Sequence, residues 1–391
     1  SPGSSLTTTS GDISVAGVGA DVGLLLDGGV TLATDSGRLD LRGRGTATNA
    51  SGLLIGSGVN LATNGGGIEL AGEGGSGAGV ALGLGALLDA GSGMVVLRAG
   101  NDGSSDAVRL DGAIRAGAGV NLRPGGVDLS GLAHDRIDDG ILLGSGNGFA
   151  LDAAELARID APELVIGSRQ HAGAIRVSEA IVRGGNLTLQ NQGGSGGIDL
   201  QAGLDVGGGV LALLSGGNIV QAAAAAIHAH SLLAQAGGDV LLGLAQNDVA
   251  STTLAGQAGG DFQFQDANDL AVGSVSASGF DAATGAISAE GNSGINAGGD
   301  LLVRNLAGDL ALGADLAATN IDLVTAGRLQ NPAGAGLGAS GDWRIWANTW
   351  VGEELGGLGG SGNLPNLYNC AYLGACGVTV ASGDNHFIYV Q

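Results

Sequence analysis

Apolar and polar residues alternate over short stretches of this chain, and glycine bounds most of these stretches. Residues 237–249 read GGDVLLGLAQNDV and residues 259–270 read GGDFQFQDANDL, so one phrase recurs after 22 residues. Alternation with a period of two is typical of a strand with one buried face. A repeat of this length predicts one coil of a β-solenoid, which needs neighbouring coils to bury its apolar face.

The same pattern, a glycine followed by a short alternating run, recurs elsewhere in the chain. It follows Gly67, Gly126, Gly185, Gly197, Gly217, Gly299 and Gly308. An antiparallel sandwich is the alternative, but it does not predict a constant period. We therefore predict an all-β fold, a parallel β-helix with roughly 18 coils at about 21 residues each, forming a rod of about 90 Å.

Two segments depart from the repeat. Residues 131–183 form an irregular insert, in which Asp152 and Glu155 have the spacing of a capping box and predict one or two helical turns ended before Pro162. The run of alanines at 222–226 favours a helix by propensity, whereas the strand phrases on both sides favour another coil. We predict a coil there.

Composition supports a folded, aliphatic core and argues against polyanionic partners. The 391 residues include 80 glycines, but 44% are apolar and only 3% are aromatic. The net charge is −22, and all 15 basic residues are arginine, twelve of them between Arg38 and Arg183. Binding to nucleic acid or to an anionic membrane needs clustered cations, so neither is expected. No apolar run is long enough for a membrane helix, so membrane insertion is not expected either.

The two cysteines, Cys370 and Cys376, are six residues apart near the carboxy terminus. Two thiols alone make a poor zinc site, which usually has four ligands. A disulfide is therefore predicted, and it indicates an oxidising, extracellular setting.

The last fifty residues contain seven of the eleven aromatic residues. A solenoid exposes its interior at its last coil, so large rings there predict a covering cap. A carbohydrate-stacking platform is the alternative interpretation of the same rings. The cap or interface candidates are Trp343, Trp346, Trp350, Tyr368, Tyr372, Phe387 and Tyr389.

Candidate chemistry is sparse. Asp138 and Asp139 are adjacent, so on a strand they would face opposite sides and make a poor acid–base couple. His228 and His230 would share one face, but no third metal ligand is evident nearby. Asn, Asp and Thr at coil corners are expected to make stacking hydrogen bonds and not to bind calcium. No catalytic residue, metal or other cofactor is predicted, and we expect the chain not to be an enzyme.

Several phrases resemble the filamentous-haemagglutinin-like exoproteins, which are bacterial two-partner-secreted adhesins and include the high-molecular-weight adhesin type. The resemblance lies in the segment 151–159 followed by 164–167, in the Gly-Gly-Asp phrases, and in the ending from Trp343 through Cys370 and Cys376. It implies a right-handed parallel β-helix that is exported through an outer-membrane pore and serves in attachment or biofilm formation. By the same resemblance, the chain is expected to be a carboxy-terminal portion or a mature processed fragment, and the two cysteines are candidates for anchoring it at the pore.

These observations predict two regions, β-helix repeats over residues 1–340 and a capping or anchoring segment over 341–391. The expected function is that of a secreted adhesin or stalk, extracellular or on the bacterial surface, with a host surface or glycan receptor as partner. One alternative is a subunit of an extracellular filament that binds copies of itself head to tail. Another is a β-helical polysaccharide lyase, which the absence of lysine argues against.

Overall fold

The computed structural model describes residues 3–391, including all their side chains except those at 245 and 250–252, and consists of short strands with one helical turn. The chain forms two compact units. The first comprises the residues up to Gly196 together with Ser278–Ser288, and the second comprises Gly197–Ala277 and Ala289–Gln391. The predicted all-β solenoid is confirmed, because strands of successive coils pair in parallel in both units.

The elements that begin before Gly196 are β1 Ser5–Thr8, β2 Ile13–Gly19, β3 Val22–Leu26, β4 Thr31–Thr34, β5 Leu39–Gly45, β6 Ser51–Ile55, β7 Asn60–Thr63, β8 Ile68–Glu73, β9 Val80–Leu82, β10 Leu87–Asp89, β11 Met94–Gly100, β12 Val108–Leu110, β13 Ala113–Arg115, β14 Gly119–Val127, β15 Ala133–Asp135, β16 Ile141–Leu143, β17 Phe149–Leu151, α1 Ala153–Leu156, β18 Ile159–Asp160, β19 Glu163–Ser168, β20 Ile175–Val177, β21 Ile181–Val182 and β22 Asn186–Asn191.

The elements that follow are β23 Ile198–Leu200, β24 Leu204–Asp205, β25 Val210–Ser215, β26 Ile219–Gln221, β27 Ile227–Ala236, β28 Val240–Ala258, β29 Phe262–Asp266, β30 Leu270–Val272, β31 Ser274–Asp281, β32 Ala286–Ser293, β33 Ile295–Ala297, β34 Leu301–Asn305, β35 Leu310–Leu312, β36 Leu316–Ala318, β37 Ile321–Thr325, β38 Leu329–Gln330, β39 Leu337–Ala339, β40 Trp343–Ala347, β41 Asn366–Leu367 and β42 His386–Tyr389.

In the first unit each coil contributes strands to stacked parallel ladders. One ladder contains β1, β4, β7, β10, β13 and β18, and another contains β3, β6, β9 and β12. A third places Ile13 beside Leu39, Leu39 beside Ile68, and Ile68 beside Val95. All four side chains are at most 7% exposed, so the aliphatic core is a column of matched residues.

Coil length differs between the units. In the second unit Val240 pairs with Phe262, and Ile321 pairs with Trp343, so the predicted spacing of 22 residues is confirmed there. In the first unit successive partners from β1 to β14 are 25 to 29 residues apart, and the step from β14 to β19 takes 44 residues. Longer coils and an inserted two-stranded sheet of β31 and β32 lower the total to about 15 coils, so the predicted 18 was too high.

The Gly-Gly-Asp phrases produce a ladder of side-chain hydrogen bonds along one corner of the second unit. The Asp261 backbone N–H donates to Asp239 Oδ1 at 2.9 Å, and the Asp300 N–H donates to Asp261 Oδ1 at 2.8 Å. Asn218 Oδ1 accepts from the Asp239 N–H in the same way. Each carboxylate or amide thus satisfies a turn amide of the next coil, and the predicted stacking role of these corner residues is confirmed.

A second polar column lies inside the core of this unit. Gln221, Asn247, Asp266, Asn305 and Asn331 are at most 4% exposed. Their side chains satisfy backbone groups where the coils turn, as when Asn247 Nδ2 donates to the carbonyls of Leu242 and Gln265. Buried polar groups require such partners, so these positions fix the turn geometry.

The predicted irregular features of the middle segment are present. Asp152 and Glu155 form a reciprocal capping box around the single turn of α1. Asp138 lies in a turn and not on a strand. Residues 222–226 form no helix, and β27 begins directly after them, which confirms the predicted coil.

Candidate functional site

The carboxy-terminal segment combines the aromatic cluster with the disulfide, and it is built on stacked strands. Trp343 of β40 pairs with Ile321 of β37, and β42 continues the stack by placing Phe387 beside Ile345. His386–Tyr389 therefore forms a further strand of this stack. Alternation along β40 turns Trp343 and Ile345 inward and leaves Trp346 on the outer face.

Three of the seven aromatic candidates are buried, and two of them pack against each other. Trp343 and Phe387 are 4% and 3% exposed, and their rings meet edge to face with centroids 5.0 Å apart. Such a pair contributes both buried area and a favourable quadrupole contact. These rings fill the interior of the last coils and are not available to a ligand.

A second aromatic pair lies on the outer face. Trp346 contacts Tyr372 edge to face at 5.5 Å, and its indole N–H donates to Asp322 Oδ1 at 3.1 Å. Burial raises the pKa of Asp322 despite this hydrogen bond. The Arg304 guanidinium lies 5.7 Å from the centre of the Tyr372 ring, in position for a cation–π contact.

The remaining three rings form a partly exposed surface, here called the aromatic shelf and consisting of Trp350, Tyr368 and Tyr389. Trp350 contacts Tyr368 at 5.1 Å and Tyr389 at 5.7 Å, while the two tyrosines stack at 5.5 Å. Trp350 and Tyr368 are 44% and 45% exposed, whereas Tyr389 is buried. Exposed rings held in a fixed arrangement are typical of surfaces that bind sugars or proteins.

Glu353 fixes one edge of the aromatic shelf. The Tyr389 hydroxyl donates to the Glu353 carboxylate, with O–O distances of 2.9 and 3.1 Å. Burial is the main cause that raises the pKa of both groups. A carboxylate beside two exposed rings offers a hydrogen-bond acceptor to a hydroxyl-bearing ligand.

The predicted disulfide is present and closes the loop between Cys370 and Cys376, whose Cα atoms are 4.1 Å apart. Cys370 is buried and packs with Leu367 and Ile388, so the loop is attached to the terminal strand. At the tip of the loop, Leu373 is 86% exposed and has a φ of 57°, a backbone conformation that disfavours side chains with a Cβ. The disulfide therefore presents an exposed apolar tip.

The other sequence candidates do not combine into a site. His228 and His230 share the exposed face of β27, as predicted, and His228 Nδ1 lies 2.9 Å from Asp205 Oδ1. The described residues contain no group of three His, Cys, Asp or Glu side chains placed to hold a metal ion.

Sequence reasoning missed one acidic cavity in the first unit, of about 340 Å³ and lined by Asp106, Glu155 and Arg158. Burial raises the pKa of Asp106 to about 7. Glu155 accepts hydrogen bonds from the Leu110 and Asp152 N–H groups, so it is fully used in holding the capping box. Asp106 in turn accepts a hydrogen bond from the Val108 N–H at 3.0 Å.

No protein-family model, curated protein or solved structure matches this chain. Within residues 3–391, helices long and apolar enough to cross a membrane are absent. The resemblance to filamentous-haemagglutinin-like exoproteins therefore stays a prediction.

Proposed function

We propose that this chain is a secreted bacterial cell-surface adhesin or stalk that attaches its cell to surfaces and contributes to biofilm. The observation that carries the proposal is the aromatic shelf, which lies beside a disulfide loop at the last stacked strands of the second unit. Stacked coils form an extended scaffold that can present a binding surface without a pocket. Exposed aromatic rings that lie together are typical of such binding surfaces. The proposal assigns the chain a non-enzymatic role.

The proposed partner for export is an outer-membrane two-partner secretion pore, and the loop closed by Cys370 and Cys376 is the proposed anchor. Disulfides persist in oxidising compartments, which supports an extracellular location. The exposed Leu373 gives the loop an apolar tip for contact with the pore.

Adhesion of cells that carry the chain on their surface tests the proposal. We expect bacteria expressing the chain with its pore to bind epithelial cells, and a Trp350→Ala, Tyr368→Ala variant to bind at least tenfold less, because two stacked contacts are lost. The matched control is Leu84→Ala, since Leu84 is 72% exposed in the first unit. Protease treatment of intact cells verifies display, and displayed chain without adhesion would contradict the proposal.

A filament subunit is the second candidate. Exposed apolar side chains on β1, β2 and β3 favour it, since Leu6, Val18 and Leu25 are 48–55% exposed and exposed apolar strands are prone to pair with other chains. Filaments that lengthen with concentration in negative-stain images would support this candidate, and isolated particles at all concentrations would exclude it.

A further inference from the structure

A cavity of about 430 Å³ in the first unit is lined by three arginines. Arg38 precedes β5, Arg98 lies in β11 and Arg123 in β14, and Arg98 and Arg123 are direct neighbours in register. The net charge of the whole chain is −22, so this concentration of positive charge is a local exception.

The acidic residues around the cavity leave one positive charge in excess. Glu69 pairs with both Arg38 and Arg98. Asp135 lies 2.8 Å from Arg123 Nε and 3.8 Å from Arg98 Nη1, so it too is shared. The nearby Arg42 is neutralised separately by Asp40. Three guanidinium groups thus share two carboxylates.

The Arg38 side chain is open to an anion, and the Arg98 side chain is partly open, at 14% exposure. The Arg38 side chain is 52% exposed, and its carboxylate partner, Glu69, is only 8% exposed. Arg98 Nε is buried and has no hydrogen-bond partner among the described residues. Arg123 already has partners within the protein. Its guanidinium carbon lies 4.8 Å from the centre of the Phe280 ring, and its Nη1 donates to Asn121 Oδ1.

The rest of the lining is largely apolar, and part of it lies on the same face of β11 as Arg98. Met94, Val96, Phe280 and Ala282 pack together there. Residues 278–288, which bring Phe280 and Ala282, are held by hydrogen bonds from the Phe280 and Ala282 N–H groups to Gln190 and Gln170, both 2.8 Å. The cavity therefore combines charged and apolar side chains, and contacts within the protein hold the segment that carries Phe280 and Ala282 in place.

We propose that this cavity binds one acidic sugar residue, with its carboxylate or sulfate on Arg38 and Arg98 and its C–H face against Met94 and Ala282. Guanidinium groups bind such anions through paired, charge-assisted hydrogen bonds. The volume lies in the range of small-ligand sites. A long polyanion is disfavoured by the negative charge of the rest of the chain, so the ligand is a terminal or isolated acidic sugar.

Calorimetric titration of the purified chain with four probes tests the inference: D-glucuronate, D-glucose 6-sulfate, D-glucose and inorganic sulfate. We expect saturable binding of D-glucuronate or the sugar sulfate, and the better of the two identifies the anionic group. Neutral glucose and inorganic sulfate are each expected to bind at least about tenfold more weakly, since each lacks one of the two contacts.

Variants locate the site. Arg38→Gln is expected to weaken binding about tenfold through loss of a charge-assisted contact, and Ala282→Glu to weaken it similarly by placing a carboxylate in the wall. Arg115→Gln removes an exposed arginine elsewhere in the first unit and should have no effect.

Absence of binding, equal binding of glucose or inorganic sulfate, or unchanged binding by both cavity variants would overturn the inference. Binding is measured on the isolated chain, so it can succeed even if the adhesin proposal fails.

Discussion

Replacing Asp266 by asparagine is expected to stabilise the second unit at pH 8. Asp266 is 0% exposed and lies in the internal polar column. Its neighbours in register on either side are both asparagines, Asn247 and Asn305. The substitution therefore places a third asparagine side chain between the two that already occupy this position in the neighbouring coils.

The size of the effect follows from burial. Burial is the main cause that raises the pKa of Asp266 from 3.8 to about 6. At about 1.4 kcal/mol per pKa unit, keeping this carboxylate ionised in the folded chain costs about 3 kcal/mol above pH 7. The carboxylate accepts from the Val249 and Asn268 N–H groups at 2.9 and 3.1 Å, and asparagine gives up one of these bonds, about 1 kcal/mol. The net gain is about 2 kcal/mol.

The sign of the pH dependence is fixed by the raised pKa in the folded state. Below about pH 4 the acid is neutral in both the folded and the unfolded chain, so there is no charge penalty. The penalty grows as pH rises from the ordinary pKa of 3.8 to the folded-state pKa of about 6. Stability falls between these two pH values, and the penalty is complete above the higher one. The advantage of Asp266→Asn is therefore expected at pH 8 and should disappear or reverse at pH 4.

Urea unfolding followed by tryptophan fluorescence measures this difference, since Trp343, Trp346 and Trp350 all lie in the second unit. The matched control is Asp269→Asn, which removes the same charge from an exposed position three residues away. A lower unfolding midpoint of Asp266→Asn at pH 8, or a gain that is equal at pH 4 and pH 8, would refute the reasoning.

Three further predictions concern the corner ladder, the disulfide and the exposed histidine. Asp261→Ala is expected to cost about 1 kcal/mol in urea unfolding, because the turn amide of the next coil loses its acceptor; unchanged stability would show that the ladder is not stabilising. Replacing Cys370 and Cys376 by serine should lower the free energy of unfolding by about 2 kcal/mol, as expected for so short a loop, and equal thermal midpoints would contradict this. The hydrogen bond to Asp205 raises the pKa of His228 above its usual 6.5, so Asp205→Asn should lower it in an NMR titration, and an unmoved pKa would exclude the contact.

The alternation and the Gly-Gly-Asp phrase were sufficient to predict the second unit. A strand period combined with a fixed repeat leaves few architectures, and the corner aspartates mark equivalent points of successive coils. The 25–29 residue coils of the first unit were not predictable from this phrase, because their longer turns do not repeat one sequence.

The site could be predicted only in part. The clustering of aromatic residues indicated a special carboxy-terminal segment, but which rings face inward depends on strand register, which separates buried Trp343 from exposed Trp350. The arginine-lined cavity was not predicted, because it joins Arg38, Arg98 and residues near Phe280 that are distant in sequence. Small residues dominate β31 and β32, the two strands around Phe280. Apolar and polar residues therefore show no clear alternation along them.

Successive coils stack in register, and cysteine cross-linking of neighbouring coils can measure this stacking in solution. Leu241 and Gln263 are parallel partners with partly exposed side chains, so their Cα atoms should lie about 4.8 Å apart, within the range for a disulfide. We expect rapid oxidation of a Leu241→Cys, Gln263→Cys variant and little cross-linking when the second cysteine is moved to position 265. Failure of the in-register pair to cross-link, or equal cross-linking of both pairs, would contradict the stacked arrangement.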